Sequence, residues 1–110
     1  MIGPSKAKEL IFTGDRLSAD QAKELGLVNH VCDNFTKSLD KAFELAHKIG
    51  EKGPIAIKAA KRAVHYGIDL DIEAGLKLED ECYKLTLSSE DRLEGLKAFA
   101  EKRKPVYVGK

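Results

Sequence analysis

Tryptophan is absent from this 110-residue chain, and aromatic residues make up only 6% of it. A surface that reads nucleic-acid bases through repeated ring stacking is therefore hard to build. Cysteine is scarce too. Cys32 and Cys82 stand far apart with no CxxC pair, which excludes a disulfide framework and a thiolate metal cluster. The expectation is two ordinary buried thiols in a reducing compartment. No apolar run approaches the roughly 20 residues that a membrane-spanning helix needs. An excess of one charge is missing as well: 19 Lys and Arg face 18 Asp and Glu, a formal net charge of +1. No global field draws the chain to a polyanion or an anionic membrane, so any such preference needs a local patch.

Familiar catalytic signatures are also missing. There is no GxSxG elbow, so a Ser-His-acid triad is not expected. His30, His47 and His65 are widely spaced, with neither HExxH nor a Cys/His cluster, and read as surface or helix-face histidines. No Gly-rich phosphate loop is visible. Met1-Ile2-Gly3-Pro4 runs straight into a charged helical pattern, unlike a secretory leader. If the chain is a piece of something longer, the address lies on the other piece.

What is present is a globular balance, 34% charged and 43% apolar. At this length one domain is the limit, burying roughly two-thirds of its unfolded surface and leaving little room for a deep cavity. Proline and glycine act as punctuation. Pro4 precedes a helical pattern over Ser5–Phe12, and Gly14 follows it. Ser18-Ala19-Asp20-Gln21 has the spacing of a capping box and opens a short helix ending at Gly26. Leu27 to Val31 reads as a short β-like segment. Alone it cannot pair its own backbone groups, so it either stays irregular or joins a sheet from elsewhere.

A third helix is expected from about Lys37 to Gly50, with Leu39, Phe43, Ala46 and Ile49 at helical spacing. A fourth runs from Pro54 to about Tyr66, ended by Gly67, and carries small residues that allow close helix approach. A fifth begins near Asp69 and Asp71 and reaches about Thr86. A sixth is capped by Ser88 or Ser89, with Glu90 and Asp91 complementing its dipole, and is stopped by Pro105. The class is mainly α, about six helices and one short strand. Residues 1–52 form one block and residues 53–110 another, joined at Gly53-Pro54.

Two basic clusters stand out. Lys58, Lys61, Arg62 and His65 recur at i, i+3, i+4, i+7 and share one side of the fourth helix. Such a stripe is ordinarily a solvated face. The sharper alternative is a comb that tracks RNA phosphates, weakened by the lack of interleaved aromatics beyond Tyr66. Lys102-Arg103-Lys104 ends the last helix, where cations complement the macrodipole. Phe99 lies one turn earlier, and a ring beside an ammonium also suits a nucleotide that carries phosphates.

Taken in order, these segments resemble a known family. Ala7-Lys8-Glu9-Leu10-Ile11-Phe12-Thr13-Gly14, Leu17-Ser18-Ala19 and Gly26-Leu27-Val28-Asn29-His30-Val31 look like the stretch after the core domain of crotonases, the enoyl-CoA hydratase/isomerase family. Gly53-Pro54-Ile55-Ala56 and Glu90 to Phe99, running into Glu101-Lys102-Arg103-Lys104-Pro105, are similar too. Cys82-Tyr83 and Asp91-Arg92-Leu93-Glu94-Gly95 look closest to methylglutaconyl-CoA hydratase-like, mitochondrial-type members.

The resemblance implies the C-terminal helical and trimerisation region of a spiral ββα fold. The parent would add water to a 2-enoyl-CoA thioester, in fatty-acid or branched-chain amino-acid breakdown. An oxyanion hole of two backbone N–H groups and two water-activating carboxylates would lie in the N-terminal domain. No catalytic residue is carried over to this chain, which is expected to be inactive alone. Phe99 and Lys102 are implied as contacts to the CoA of a neighbouring subunit. The resemblance further implies a homo-trimer or hexamer, a mitochondrial location, and no cofactor, because coenzyme A is part of the substrate. No metal and no membrane partner are expected. The competing readings are a helical RNA-binding module and a non-catalytic trimerisation subunit.

Overall fold

Four of the six helices start where a side chain takes over an N–H that the helix cannot satisfy itself, and the other two open on a proline, which has no N–H to satisfy. A computed structural model describes residues 2–110 and contains six α-helices among them. Helix α1 (Gly3–Thr13) carries Pro4 in its first turn and ends at Gly14, in the left-handed region at φ 69°. Helix α2 (Ala19–Glu24) has the full capping box. The Ser18 hydroxyl accepts the Gln21 N–H at 3.2 Å, and Gln21 Oε1 accepts the Ser18 N–H at 2.8 Å. Gly26, at φ 76°, closes it in a Schellman turn: its N–H donates to the Lys23 carbonyl, and the Leu27 N–H to that of Ala22.

Helix α3 (Phe35–Gly50) starts earlier than the expected Lys37, because Asn34 Oδ1 accepts the Lys37 N–H at 2.9 Å and caps the helix from further upstream. Helix α4 (Pro54–Gly67) opens on the expected proline. Helix α5 (Ile72–Leu87) is capped by Asp71, whose Oδ1 accepts the Ala74 N–H at 2.9 Å. Helix α6 (Glu90–Ala100) is capped by Ser89 rather than Ser88. It ends at Ala100, short of the expected stop at Pro105, because a backbone turn after Ala100 closes it first.

The expected strand does not form. Among the described residues there is no β-strand, and residues 27–31 are irregular, the first of the two alternatives. Nothing offers their backbone groups a ladder to join.

The chain divides into two compact units, one ending at Phe43 and the other Glu44–Lys110, and the break falls inside α3. The second unit holds the α4–α5 pair, which pack on one another. Ala59 on α4 and Cys82 on α5 are buried there. Small residues allow the approach, and they leave an open groove of about 690 Å³ with Ala56, Ala60, Ala63, Gly67 and Gly75 in its walls.

The core is thin. Among the described residues, Ala59, Cys82 and Ala98 are the whole set of buried apolar side chains. Phe12, Ile68 and Ile72 stand open to solvent, as do Leu76, Leu93 and Leu96. The chain exposes 9219 Å². A self-contained protein of its 12.1 kDa exposes roughly 6,000 Å². Much of the excess is apolar helix face, the kind of surface that is covered by other protein.

Candidate functional site

The best-organised polar cluster lies on α6 and the segment that follows it. Ser89 begins the helix: its buried hydroxyl accepts the Arg92 N–H at 3.1 Å and donates to the Thr86 carbonyl at 2.8 Å. Asp91 follows in the first turn, where a carboxylate complements the positive end of the helix. It does more than that. It is 5% exposed, and Oδ1 accepts the Val108 N–H at 2.7 Å and the Gly109 N–H at 3.1 Å. Oδ2 takes the Gly109 N–H at 3.0 Å, and the Asp91 N–H donates to the Lys110 carbonyl at 3.1 Å. Asp91 thus fastens the C-terminal tail to the start of α6.

One turn on, Glu94 repeats the arrangement. Its two oxygens accept the Arg103 fork, Nη1 at 2.6 Å and Nη2 at 2.9 Å, and Oε1 also accepts the Val106 N–H at 2.8 Å. Arg103 foremost, with the Val106 amide second, pushes the Glu94 carboxyl down to about 2. Arg103 Nε is held in turn by Glu101 at 2.6 Å. Both carboxylates hold the guanidinium protonated still more firmly than usual. Gly95 leaves room for the tail: a Cβ there would sit 3.3 Å from the Tyr107 hydroxyl. Gly109, at φ 77°, reaches within 3.1 Å of Pro54 at the head of α4, measured from the Cβ it lacks.

Between helix and tail lies Lys102. The Lys102 N–H donates to the Phe99 carbonyl at 3.2 Å, and the Arg103 N–H to the Ala98 carbonyl at 3.0 Å. This is the Schellman turn again, the same pair of bonds that ends α2. In α2 the left-handed position is Gly26; in α6 it is Lys102, at φ 53°. Among the described residues Lys102 is the one non-glycine with positive φ. A side chain there costs about 1 kcal/mol more than glycine would. Phe99, one turn back, is 87% exposed and Lys102 is exposed as well. The two residues singled out from sequence therefore stand on the same open end of α6. Glu94, which braces that end, and Asp91, which fastens the tail to the start of the helix, were not singled out as site residues. The signal was an acidic pair at i, i+3 shortly before Lys-Arg-Lys-Pro and an extended Val-Tyr-Val tail.

The α4 stripe is a separate place. Lys58, Lys61, Arg62 and His65 are all exposed. The His65 ring meets Tyr66 edge-on, 4.9 Å between centroids, which engages the one aromatic available for stacking. Cys82 is buried as expected, but Cys32 is only half-buried, because its irregular segment has no layer over it. Among the described residues no three His, Cys, Asp or Glu converge as a metal site, and no helix is long and apolar enough to cross a membrane.

A thin core and apolar helix faces in water mark a helical layer of a kind that other protein covers in a larger fold. Comparison with known proteins identifies that fold. The family model described as enoyl-CoA hydratase/isomerase matches residues 1–110. The chain belongs to the enoyl-CoA hydratase/isomerase family. It is 50% identical to "Probable enoyl-CoA hydratase 2, mitochondrial" of Arabidopsis thaliana, over 99% of this chain and 36% of that protein. It is 44% identical to mouse methylglutaconyl-CoA hydratase, mitochondrial, over 98% of this chain and 35% of the relative. The crystal structure of an enoyl-CoA hydratase from Bacillus anthracis superposes with a TM-score of 0.93 at 49% identity, covering 99% of this chain and 42% of that one. The chain thus spans about two-fifths of the length of these relatives and matches their C-terminal part.

Proposed function

We propose that this chain is the C-terminal helical part of an enzyme that adds water to 2-enoyl-CoA thioesters. In this reading it supplies contacts to coenzyme A and a surface for homo-oligomerisation, and it does not carry the chemistry itself. The observation that carries the proposal is Lys102. It holds a left-handed turn that glycine would make with less strain, one turn after the exposed Phe99, in a chain matched along its whole length by the family. An ammonium at that turn suits a phosphate of coenzyme A, and the Phe99 ring suits the adenine or the pantetheine arm.

The reaction needs an oxyanion hole and water-activating carboxylates. The carboxylates of this cluster, Asp91 and Glu94, are engaged with backbone amides and Arg103, and have no water-activating role in this reading. Coenzyme A enters as part of the substrate and no further cofactor is invoked. The exposed apolar faces of α5 and α6 serve as contact surface in a trimer or hexamer. The names of the Arabidopsis and mouse relatives point to the mitochondrion as its location. The helical RNA-binding alternative is not favoured, since the relatives are hydratases and isomerases.

The test is a graft. The chain replaces the matched segment of the Bacillus anthracis enzyme, and crotonyl-CoA hydration is assayed. The graft is expected to turn the substrate over, while the isolated chain leaves it unchanged. Robust hydration by the isolated chain would overturn the proposal.

A further inference from the structure

The turn that carries Lys102 is braced far more heavily than the end of a short helix requires. The α2 turn, with Gly26, is made by its two backbone hydrogen bonds. The α6 turn has the same two bonds and, immediately after them, a carboxylate grip on the returning chain. Glu94 takes both terminal nitrogens of Arg103 and the Val106 amide, and Glu101 takes Nε of the same guanidinium. Arg103 is the residue next to Lys102, so fixing its side chain to α6 fixes the peptide that leaves Lys102. Val106, further along the tail, is fixed to the same Glu94 oxygen. The left-handed backbone at Lys102 is thus held from both sides, by the helix before it and by Glu94 after it. A planar, bidentate arginine–carboxylate pair gives the directional rigidity this needs, which a point charge does not.

We propose that Glu94 is a positioning residue for Lys102: by gripping Arg103 and the Val106 amide it holds the strained turn from which the Lys102 ammonium meets a phosphate of coenzyme A. This rests on the reading of Lys102 as a CoA contact. Phe99 lies within the helix and keeps its place without the grip, so the effect of Glu94 runs through Lys102 alone.

The experiment is a coenzyme A binding titration of the graft described above, in which the core domain of the relative is present, in four forms: unaltered, Glu94→Gln, Lys102→Ala, and the double variant. Glu94→Gln keeps the side-chain length and an acceptor for Val106 but removes the ion pair. It is expected to weaken coenzyme A binding about fivefold when Lys102 is present. In the Lys102→Ala background it is expected to change the affinity no further, because the residue it positions is gone. Arg103→Lys, which keeps the charge and loses the fork, is expected to behave like Glu94→Gln. A general stabilising role would instead lower affinity equally in both backgrounds, and that result overturns the positioning role. If Lys102→Ala leaves the affinity unchanged, the CoA-contact reading beneath it fails first. Helical circular dichroism of each variant separates these outcomes from loss of fold.

Discussion

Asp91 and Glu94 share one face of α6, and each takes N–H groups from the tail that runs back along the helix. Removing the carboxylate of Asp91 leaves the part-buried amides of Val108 and Gly109 without their acceptor. Asp91→Ala should therefore cost about 1–2 kcal/mol and free the tail. Hydrogen exchange of the Val108 and Gly109 amides, fast in the variant and slow in the parent, checks this. Lys102→Gly should act in the opposite direction on stability. It relieves the left-handed turn and should raise the unfolding free energy by about 1 kcal/mol while weakening coenzyme A binding. A thermal melt paired with a binding titration reads both effects.

The Glu94 grip also sets a pH dependence. Its folded pKa, about 2, lies below the ordinary carboxylate value of 4.5. Its contribution is therefore complete above pH 4.5 and is lost as the pH falls through that value towards about 2. The Val106 amide resonance should titrate in that acid window and stay flat above it. Movement of that resonance only near neutrality would contradict the assignment.

Among the elements, helix starts were the most legible. Ser18, Asp71 and Ser89 all cap, because a short polar side chain reaches its own backbone and needs no tertiary partner. The stop of α6 was less legible. Pro105 advertises an end, but the turn is made earlier by a lysine in a conformation that sequence rules reserve for glycine. Residues 27–31 read as a short β-like segment, but β-structure depends on a partner that no local pattern supplies. The α4–α5 pair rests on small side chains, with Ala59 buried between the helices. Ala59→Leu should push them apart at a cost of about 2 kcal/mol, seen as an earlier loss of helical circular dichroism on heating.

For the whole molecule the governing quantity is surface. Exposing 9219 Å² where roughly 6,000 Å² is expected leaves greasy helix faces in water. The isolated chain should associate as its concentration rises, which sedimentation equilibrium would detect. A clean monomer at high concentration would argue that these faces need no cover. The order of segments along the sequence was enough to indicate the family, and several of its motifs, among them Thr13-Gly14, Ser18-Ala19 and Gly53-Pro54, map to helix boundaries. The helices and their caps are likewise determined by sequence alone, because their hydrogen bonds close within about one turn of the chain. Only the tertiary structure decided that Asp91 and Glu94 clasp the tail and that Lys102 sits in a braced left-handed turn. Those contacts join residues 9 to 18 positions apart, and no local spacing rule specifies which carboxylate meets which amide once the chain has turned back.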